Sequence, residues 1–236
     1  MYINKIKKKG KTKYLFFSDG KYSFFLTSYE LREYNLYDAV LDVAEDYENY
    51  SPSEAGTGIE LPDSVYEILL NEVVLPRGKR YALGLLSDRD YTVSGLHDKL
   101  TSADYSAEDT EVIMDYIKKY NYLDDVRYAT NYIRFREKSK SRKYIECHLL
   151  LKGISKEDIL TAYSNIEEEH SLNGIEEQSL IDEAINRKLT RKLTKEDYAN
   201  QDKITKALQS LIRSGYKYSD VKRCITNYFS EESSAT

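Results

Sequence analysis

Tryptophan is absent from this chain, proline occurs three times and glycine ten times among 236 residues. So few breakers and turn formers exclude a loop-rich fold and point to long regular elements. There are only two cysteines, Cys147 and Cys224. Both sit in apolar helical patterns and are expected as buried, reduced thiols. No apolar run approaches a membrane span, and the N-terminus lacks the apolar segment of a secretory signal, so a soluble, cytoplasmic protein is expected. His97, His148 and His170 are scattered, and no residue near them supplies metal-ligand spacing. A glycine-rich phosphate loop, a nucleophile elbow and a distinctive carboxylate pair are all missing. These absences point away from an enzyme: no catalytic residue, metal or cofactor is expected.

What the chain has in quantity is tyrosine, 23 residues against six phenylalanines. Tyrosine joins a large apolar ring to a polar tip and suits partly exposed helix faces. Charged residues make up 32% of the chain and the net charge is −5. The charge is unevenly placed. From Asp38 to Glu72 there are carboxylates and no lysine or arginine, whereas 134–143 and 187–195 are strongly basic. Such asymmetry creates local fields that the total conceals.

Residues 1–27 alternate as strands do, in the runs Tyr2–Ile6, Tyr14–Phe17 and Tyr22–Leu26. Asp19-Gly20 between the last two supplies the positive φ angles of a tight hairpin turn. A small antiparallel sheet is expected, with its edges covered. Thr27–Leu31 reads as a short capped helix. Residues 45–62 are polar, with Ser51-Pro52-Ser53 and Gly56-Thr57-Gly58, and read as a loop or linker. Pro62-Asp63 opens a helix with Val65, Ile68, Leu69 and Val73 on one face, and Pro76-Arg77-Gly78 is expected to break it.

Beyond Arg80 a faint repeat emerges. Ala82, Ala129 and Ala184 are each followed seven residues later by Arg89, Arg136 and Arg191. Tyr105, Ile154 and Tyr216 are each followed four later by Asp109, Asp158 and Asp220. In the first two copies Ser106 and Ser155 stand three before the aspartate, a helix-start pattern in which the hydroxyl accepts from free backbone N–H groups. Lys217 holds that position in the third. Each copy fits three helices: about 77–87, 93–100 and 107–120; then 125–137, 142–152 and 156–166; then 176–190, 197–214 and 218–229. Such small units bury little alone, so copies should pack in series. The expected fold is mainly α: tandem three-helix repeats in an elongated, curved array, with a small N-terminal antiparallel β-sheet. The divisions are 1–75, 76–121, 122–170 and 171–236.

The centre is Tyr122–Ile154, YLDDVRYATNYIRFREKSKSRKYIECHLLLKGI. Asp124-Asp125 reads as a helix start rather than an acid/base pair. Tyr128, Ala129, Tyr132 and Ile133 share one helix face. A second apolar helix carries Ile145, Leu149 and Leu150 and stops at Lys152-Gly153, since glycine takes the left-handed conformation without a Cβ clash. The pattern Tyr122-Leu123-Asp124-Asp125-x-Arg127-Tyr128-Ala129-x-x-Tyr132-Ile133-x-x-Arg136, with Lys152-Gly153-Ile154, resembles the central signature of the RecX family, bacterial regulators of the recombinase RecA. The likeness covers about 80–229 well and 1–75 loosely, the latter similar to the extra segment of longer RecX proteins from Gram-positive bacteria. It departs in the bend, where the family's glycine is replaced by Ser139-Lys140-Ser141-Arg142. The resemblance implies tandem three-helix repeats, and a monomer that binds RecA filaments on single-stranded DNA and lowers recombination, ATP hydrolysis and SOS signalling. Direct DNA binding, or a helical scaffold for another protein, are the alternatives.

The residues expected to meet a partner or phosphate are the bend cluster Arg134, Arg136, Lys138, Lys140, Arg142 and Lys143, the cluster Arg187, Lys188, Arg191 and Lys192, and Arg89 and Lys152. Six basic residues within ten positions exceed an ordinary solvated bend. Arg89, Arg136 and Arg191 either recur at equivalent places for a partner or pair with carboxylates inside each copy. Tyr81, Tyr128 and Tyr132 are expected in the core.

Overall fold

A computed structural model describes residues 1–41, 44–46 and 59–230. The chain is mainly helical, preceded by a small, chiefly antiparallel N-terminal sheet. Strands β2 (Lys5–Lys9), β3 (Lys13–Ser18) and β4 (Lys21–Thr27) form an antiparallel meander, as the alternation predicts. Asp19 and Gly20, at φ 49° and 76°, turn the β3–β4 hairpin and place Ser18 opposite Lys21. Tyr14, Phe16, Phe24 and Leu26 are buried, and the Phe16 and Phe24 rings stack at 4.8 Å. Thr27 caps α1 (Ser28–Glu33) in a reciprocal box with Glu30. Helix α2 (Tyr37–Leu41) follows.

The stretch expected as a linker is paired at both ends. Strand β5 (Ala44–Asp46) lies parallel to β2, and β6 (Ile59–Glu60) lies antiparallel to β1 (Tyr2–Ile3). The β5 pairing satisfies backbone groups that the β2 edge of a bare meander would leave open, whereas β1 and β6 make a separate two-stranded sheet. The rest of that stretch, 47–58, lies outside the described residues.

The break expected at Pro76 does not occur. Helix α3 (Asp63–Ile68) runs through a π-helical turn, Leu69–Val74, into α4 (Leu75–Asp88). The wider turn, in which the Leu75 N–H reaches the Leu70 carbonyl, delivers the chain to Pro76 near the start of α4. There its missing N–H and its ring are accommodated. The same turn shifts the apolar face, so Leu69 and Val74 are buried while Ile68 is exposed. Gly78 is a site of close approach rather than a breaker: a Cβ there would lie 2.2 Å from Cδ1 of Ile113.

The remaining helices are α5 (Val93–Ser102), α6 (Ala107–Lys119), α7 (Asp125–Arg136), α8 (Arg142–Leu151), α9 (Lys156–Asn173), α10 (Glu177–Leu189), α11 (Gln201–Arg213) and α12 (Tyr218–Ser230). A short 3-10 turn, Lys195–Ala199, precedes α11, which starts later than expected, while α9 runs longer. Ala82, Ala129 and Ala184 are each buried on the first helix of a set of three.

One cap recurs after α5, α8 and α11. A left-handed residue, Asp104, Gly153 or Gly215, ends the helix. The next N–H, of Tyr105, Ile154 or Tyr216, reaches back to the carbonyl of Leu100, Leu149 or Leu211. This is the doubly bonded glycine-type stop with its hydrophobic contact, and all six of those apolar residues are buried. The Tyr/Ile-to-Asp spacing seen in the sequence records this stop and the start of the following helix. Ser106 and Ser155 accept from the N–H of Asp109 and Asp158, each at 3.0 Å.

In the first copy an aspartate takes the glycine's place. Asp104 receives Lys9 and Lys13 from the sheet, at 2.8 and 2.6 Å, while its carbonyl accepts from the Tyr22 hydroxyl. Burial opposes the charge on Asp104, but hydrogen bonds from Lys13 and Lys9 outweigh it and hold the carboxyl below its ordinary 3.8. A depressed acid stabilises the fold above its unfolded value and loses that contribution as pH falls through the folded one. Wild-type protein should therefore lose stability below about pH 4 more steeply than Asp104→Asn. Urea midpoints at pH 7 and in acid check this; parallel losses would remove Asp104 from the account.

The chain forms two compact units. One comprises Met1–Tyr91 and Gly95–Leu123; the other comprises Thr92–Ser94 and the chain from Asp124 onward. The second unit has two apolar clusters, one under α7–α9 around Ile133, Ile145 and Ile166, and one under α10–α12 around Ile185, Leu211 and Val221. Helix α7 packs chiefly on α9, and α8 closes the three-helix set against both. Cys224 is buried as expected, but Cys147 is exposed. Ile145 and Leu149, one turn apart, take the inner face of α8 and turn the residue between them outward.

Candidate partner-binding site

Helix α7 starts as read: the Asp124 carboxylate accepts from Arg127 N–H at 2.8 Å, and Asp125 accepts from Val93 N–H at 2.9 Å. The bend between α7 and α8 is held by Ser141. This buried serine caps α8 through the Tyr144 N–H and donates to the Ser214 carbonyl at 2.6 Å. Serine at the cap thus fixes the bend where a glycine is expected, and ties it to the turn between α11 and α12.

The expected basic residues divide into two kinds. Arg134 is paired with Glu169 at 2.6 Å, and Arg142 with Glu146 and Glu167 at 3.0 and 3.1 Å. Both arginines are thereby engaged within the α7–α9 set, and Arg142 also lies over the Tyr163 ring at 4.0 Å. Arg187 pairs with Glu183 at 3.1 Å. Among the described residues Lys138, Lys140, Lys143, Lys188, Arg191 and Lys192 form no ion pair with a carboxylate.

Part of this unpaired set converges. Burial lowers the Lys188 pKa, and the charges of Lys140 and Lys192 lower it further. Lys188 of α10 lies over the Tyr216 ring and Lys143 of α8 beside Gly215, so the α7–α8 bend and the end of α10 meet at the turn between α11 and α12. Aromatic rings underlie two of the lysines: Lys140 lies 4.5 Å above Tyr144 and Lys188 4.8 Å above Tyr216. Sequence alone marks the two basic runs but not their meeting.

Arg136 is the last residue of α7, whereas Arg89 and Arg191 lie just beyond the ends of α4 and α10, and among the described residues none of the three pairs with a carboxylate. Arg89 donates to the Tyr91 hydroxyl at 2.9 Å. Arg136 lies 5.1 Å from the Phe135 ring and 5.8 Å from that of Tyr132. Phe135 is 76% exposed, and its off-face position between two arginines is the signal that could have singled it out. Lys152 lies 5.7 Å from the Tyr128 ring, while its carbonyl accepts from Thr92. Tyr128 and Tyr132 pack partly against the core, but Tyr81 is half-exposed and stacks on Tyr105. Among the described residues no helix is long and apolar enough to cross a membrane, and no three His, Cys, Asp or Glu side chains converge to hold a metal.

A small N-terminal sheet followed by consecutive sets of three helices, each with the same internal stop, defines a helical-repeat protein. No family model matches the chain. It is 27% identical over 169 residues to the regulatory protein RecX of Clostridium botulinum strain Eklund 17B, covering 70% of this chain and 76% of that one. To the regulatory protein RecX of Streptococcus gordonii it is 30% identical over 178 residues, covering 74% and 64%. Its fold is similar to a crystal structure of regulatory protein RecX, with TM-score 0.56 and 22% identity, covering 94% of this chain and 98% of that one. It is also similar to RecX from Lactobacillus salivarius, with TM-score 0.51, 22% identity and coverage of 65% and 95%. The chain belongs to the RecX family.

Proposed function

We propose that this protein is a cytoplasmic, monomeric regulator of RecA. It binds RecA filaments on single-stranded DNA and restrains strand exchange, ATP hydrolysis and the filament's SOS signalling, and with them recombination and repair. Its helical sets, divided at 76–121, 122–170 and 171–236, act as a serial array that spreads modest contacts along the filament groove. The observation that carries this reading, beside family membership, is the region where Lys140, Lys188 and Lys192 meet unpaired by carboxylates. Such a region suits an acidic protein surface or enclosed phosphate. No chemistry is required of the regulator.

RecA-dependent ATP hydrolysis on single-stranded DNA, measured with and without this protein, tests the reading. Undiminished turnover at saturating protein would count against it. Replacing Lys138, Lys140, Lys188 and Lys192 together by glutamine keeps their aliphatic stems. The change should weaken filament binding by about tenfold or more at physiological salt, chiefly through slower association. Arg134→Gln with Arg142→Gln should act on the stability of the α7–α9 set instead. Unchanged affinity in the lysine variant would move the contact elsewhere. The exposed Phe135 beside Arg136 also suits stacking on an unpaired base. Affinity for bare single-stranded DNA that falls steeply with salt would favour that direct contact.

A further inference from the structure

The second unit holds two separate apolar cores, one under α7–α9 and one under α10–α12. Helices of one set pack on each other, and among the described residues none packs extensively on a helix of the other set. Between the sets lies an open cleft of about 470 Å³. Ile133, Ile145 and Ile166 stand on one wall, and Leu180, Ile181 and Tyr216 on the other. Bodies that share so little apolar packing move against each other unless something fastens them.

Two attachments join the sets. The first is the covalent turn from α9 to α10. Gly174 stops α9 at φ +65°, with open space around it. The Ile175 N–H closes that stop on the His170 carbonyl. Beyond it Ile175 is exposed, and Glu176 starts α10 without a side-chain cap. Residues of this kind, at the ends of two elements and unpacked, absorb the dihedral changes of a hinge. The second attachment is Ser141, which donates to the Ser214 carbonyl at 2.6 Å. Among the described residues no other hydrogen bond or ion pair crosses from set to set. Gly215, at φ +90°, allows the approach: a Cβ there would lie 2.8 Å from Oγ of Ser141 and 3.0 Å from Cβ of Lys143.

Charges around Ser141 oppose this contact. Lys140 and Lys143 belong to the first set, Lys188 and Lys217 to the other. Lys143 packs beside Gly215, Lys188 lies over the Tyr216 ring, and Lys140 and Lys217 line the cleft. The charge of Lys140 helps to lower the Lys188 pKa. Carboxylates of the cleft are engaged elsewhere: Glu137, Glu167 and Asp220 face His170, Arg142 and Arg223, each within its own set. Glu177, the remaining one, begins α10 beside the turn. A single neutral hydrogen bond adds little net free energy, and like charges across it subtract from that most at low salt. We propose that Ser141 is a latch. The two sets swing about the turn at Gly174, and the Ser141–Ser214 contact, opposed by the lysines around it, decides whether the cleft is closed or open.

The test is the distance distribution between two nitroxide labels on the full chain. One pair spans the sets: the exposed Cys147 of α8, and Lys206→Cys at an exposed position of α11. A control pair stays within one set: Cys147, and Leu160→Cys on the outer side of α9. Cys224 remains unlabelled, because it is buried and its thiol is pushed up to about 12. Ser141→Ala should broaden the spanning distribution and lengthen its mean, and leave the control pair as it was. Added sodium chloride should narrow the spanning distribution, and Lys140→Gln with Lys188→Gln should narrow it at low salt and remove the response to salt. A spanning distribution that Ser141→Ala leaves unchanged overturns the latch. So does equal broadening of both pairs, which would mean that Ser141 serves only as the cap of α8. A distribution indifferent both to salt and to the two lysines overturns the opposition between charge and latch. These distances need no RecA, so they stand or fall apart from the proposed function.

Discussion

Gly153→Val should destabilise the second unit by about 4 kcal/mol. Two separate costs add. Gly153 has φ +80°, a conformation that costs a residue with a side chain about 1–3 kcal/mol, and more for a β-branched one. A Cβ there would also lie 2.3 Å from Cβ of Ser94, and overpacking of that kind costs about 1–3 kcal/mol. Ser94 has little freedom to yield. The Thr92 hydroxyl donates to the Lys152 carbonyl at 2.8 Å, and the Val93 N–H donates to Asp125 at 2.9 Å. Gly174 separates the two costs, since it has φ +65° and open space around it. Gly174→Val should show the backbone cost alone, about 1–3 kcal/mol. Urea midpoints followed by tyrosine fluorescence compare the two. Equal losses would mean that Ser94 moves aside freely and that only the left-handed stop matters.

That stop was legible in the sequence because it is local. A glycine after a lysine, an Asp-Gly between strand-like runs and Ser-x-x-Asp before a helix each state their geometry within a few residues. The recurrence of Ala82, Ala129 and Ala184 was legible for the same reason, as the inner position of each first helix. What stayed hidden depends on residues far apart in the chain. Strand β5 pairs with β2 across nearly forty positions of sequence, and no local pattern announces it. Pro76 looked like a break because the π turn that accommodates it has no composition of its own. Arg134 and Arg142 read as free charges in a bend, yet their carboxylates are Glu169 and Glu167, 35 and 25 residues later. The convergence of Lys140 with Lys188 is of the same kind. Thus the basic runs were found from composition, whereas the division of each run into paired and unpaired charges needed the fold.

The other large effect is expected at Arg77, where the sheet meets the long helix. Arg77 and Glu30 are mostly buried, and one terminal nitrogen of Arg77 lies 2.6 Å from each Glu30 oxygen. Its second terminal nitrogen donates to the Phe25 carbonyl at 2.9 Å, and the guanidinium sits 3.8 Å over the Phe25 ring. Removing one member of such a pair leaves a buried charge without its counter-ion, at a cost of about 3–5 kcal/mol. Here Glu30 keeps the Thr27 N–H and hydroxyl, at 2.7 and 2.9 Å, so the lower end applies. Arg77→Met, which retains the stem's packing, should cost about 3 kcal/mol and speed hydrogen exchange in β4 and α1 before the rest of the first unit. Glu30→Gln on that background removes the stranded charge and should recover part of the loss. A cost within about 0.5 kcal/mol, the scale of an ordinary surface substitution, would show that the sheet is held by its apolar face alone. A double variant worse than the sum of its singles would show instead that Glu30 matters through the Thr27 cap, and that the charge on Arg77 is incidental to it.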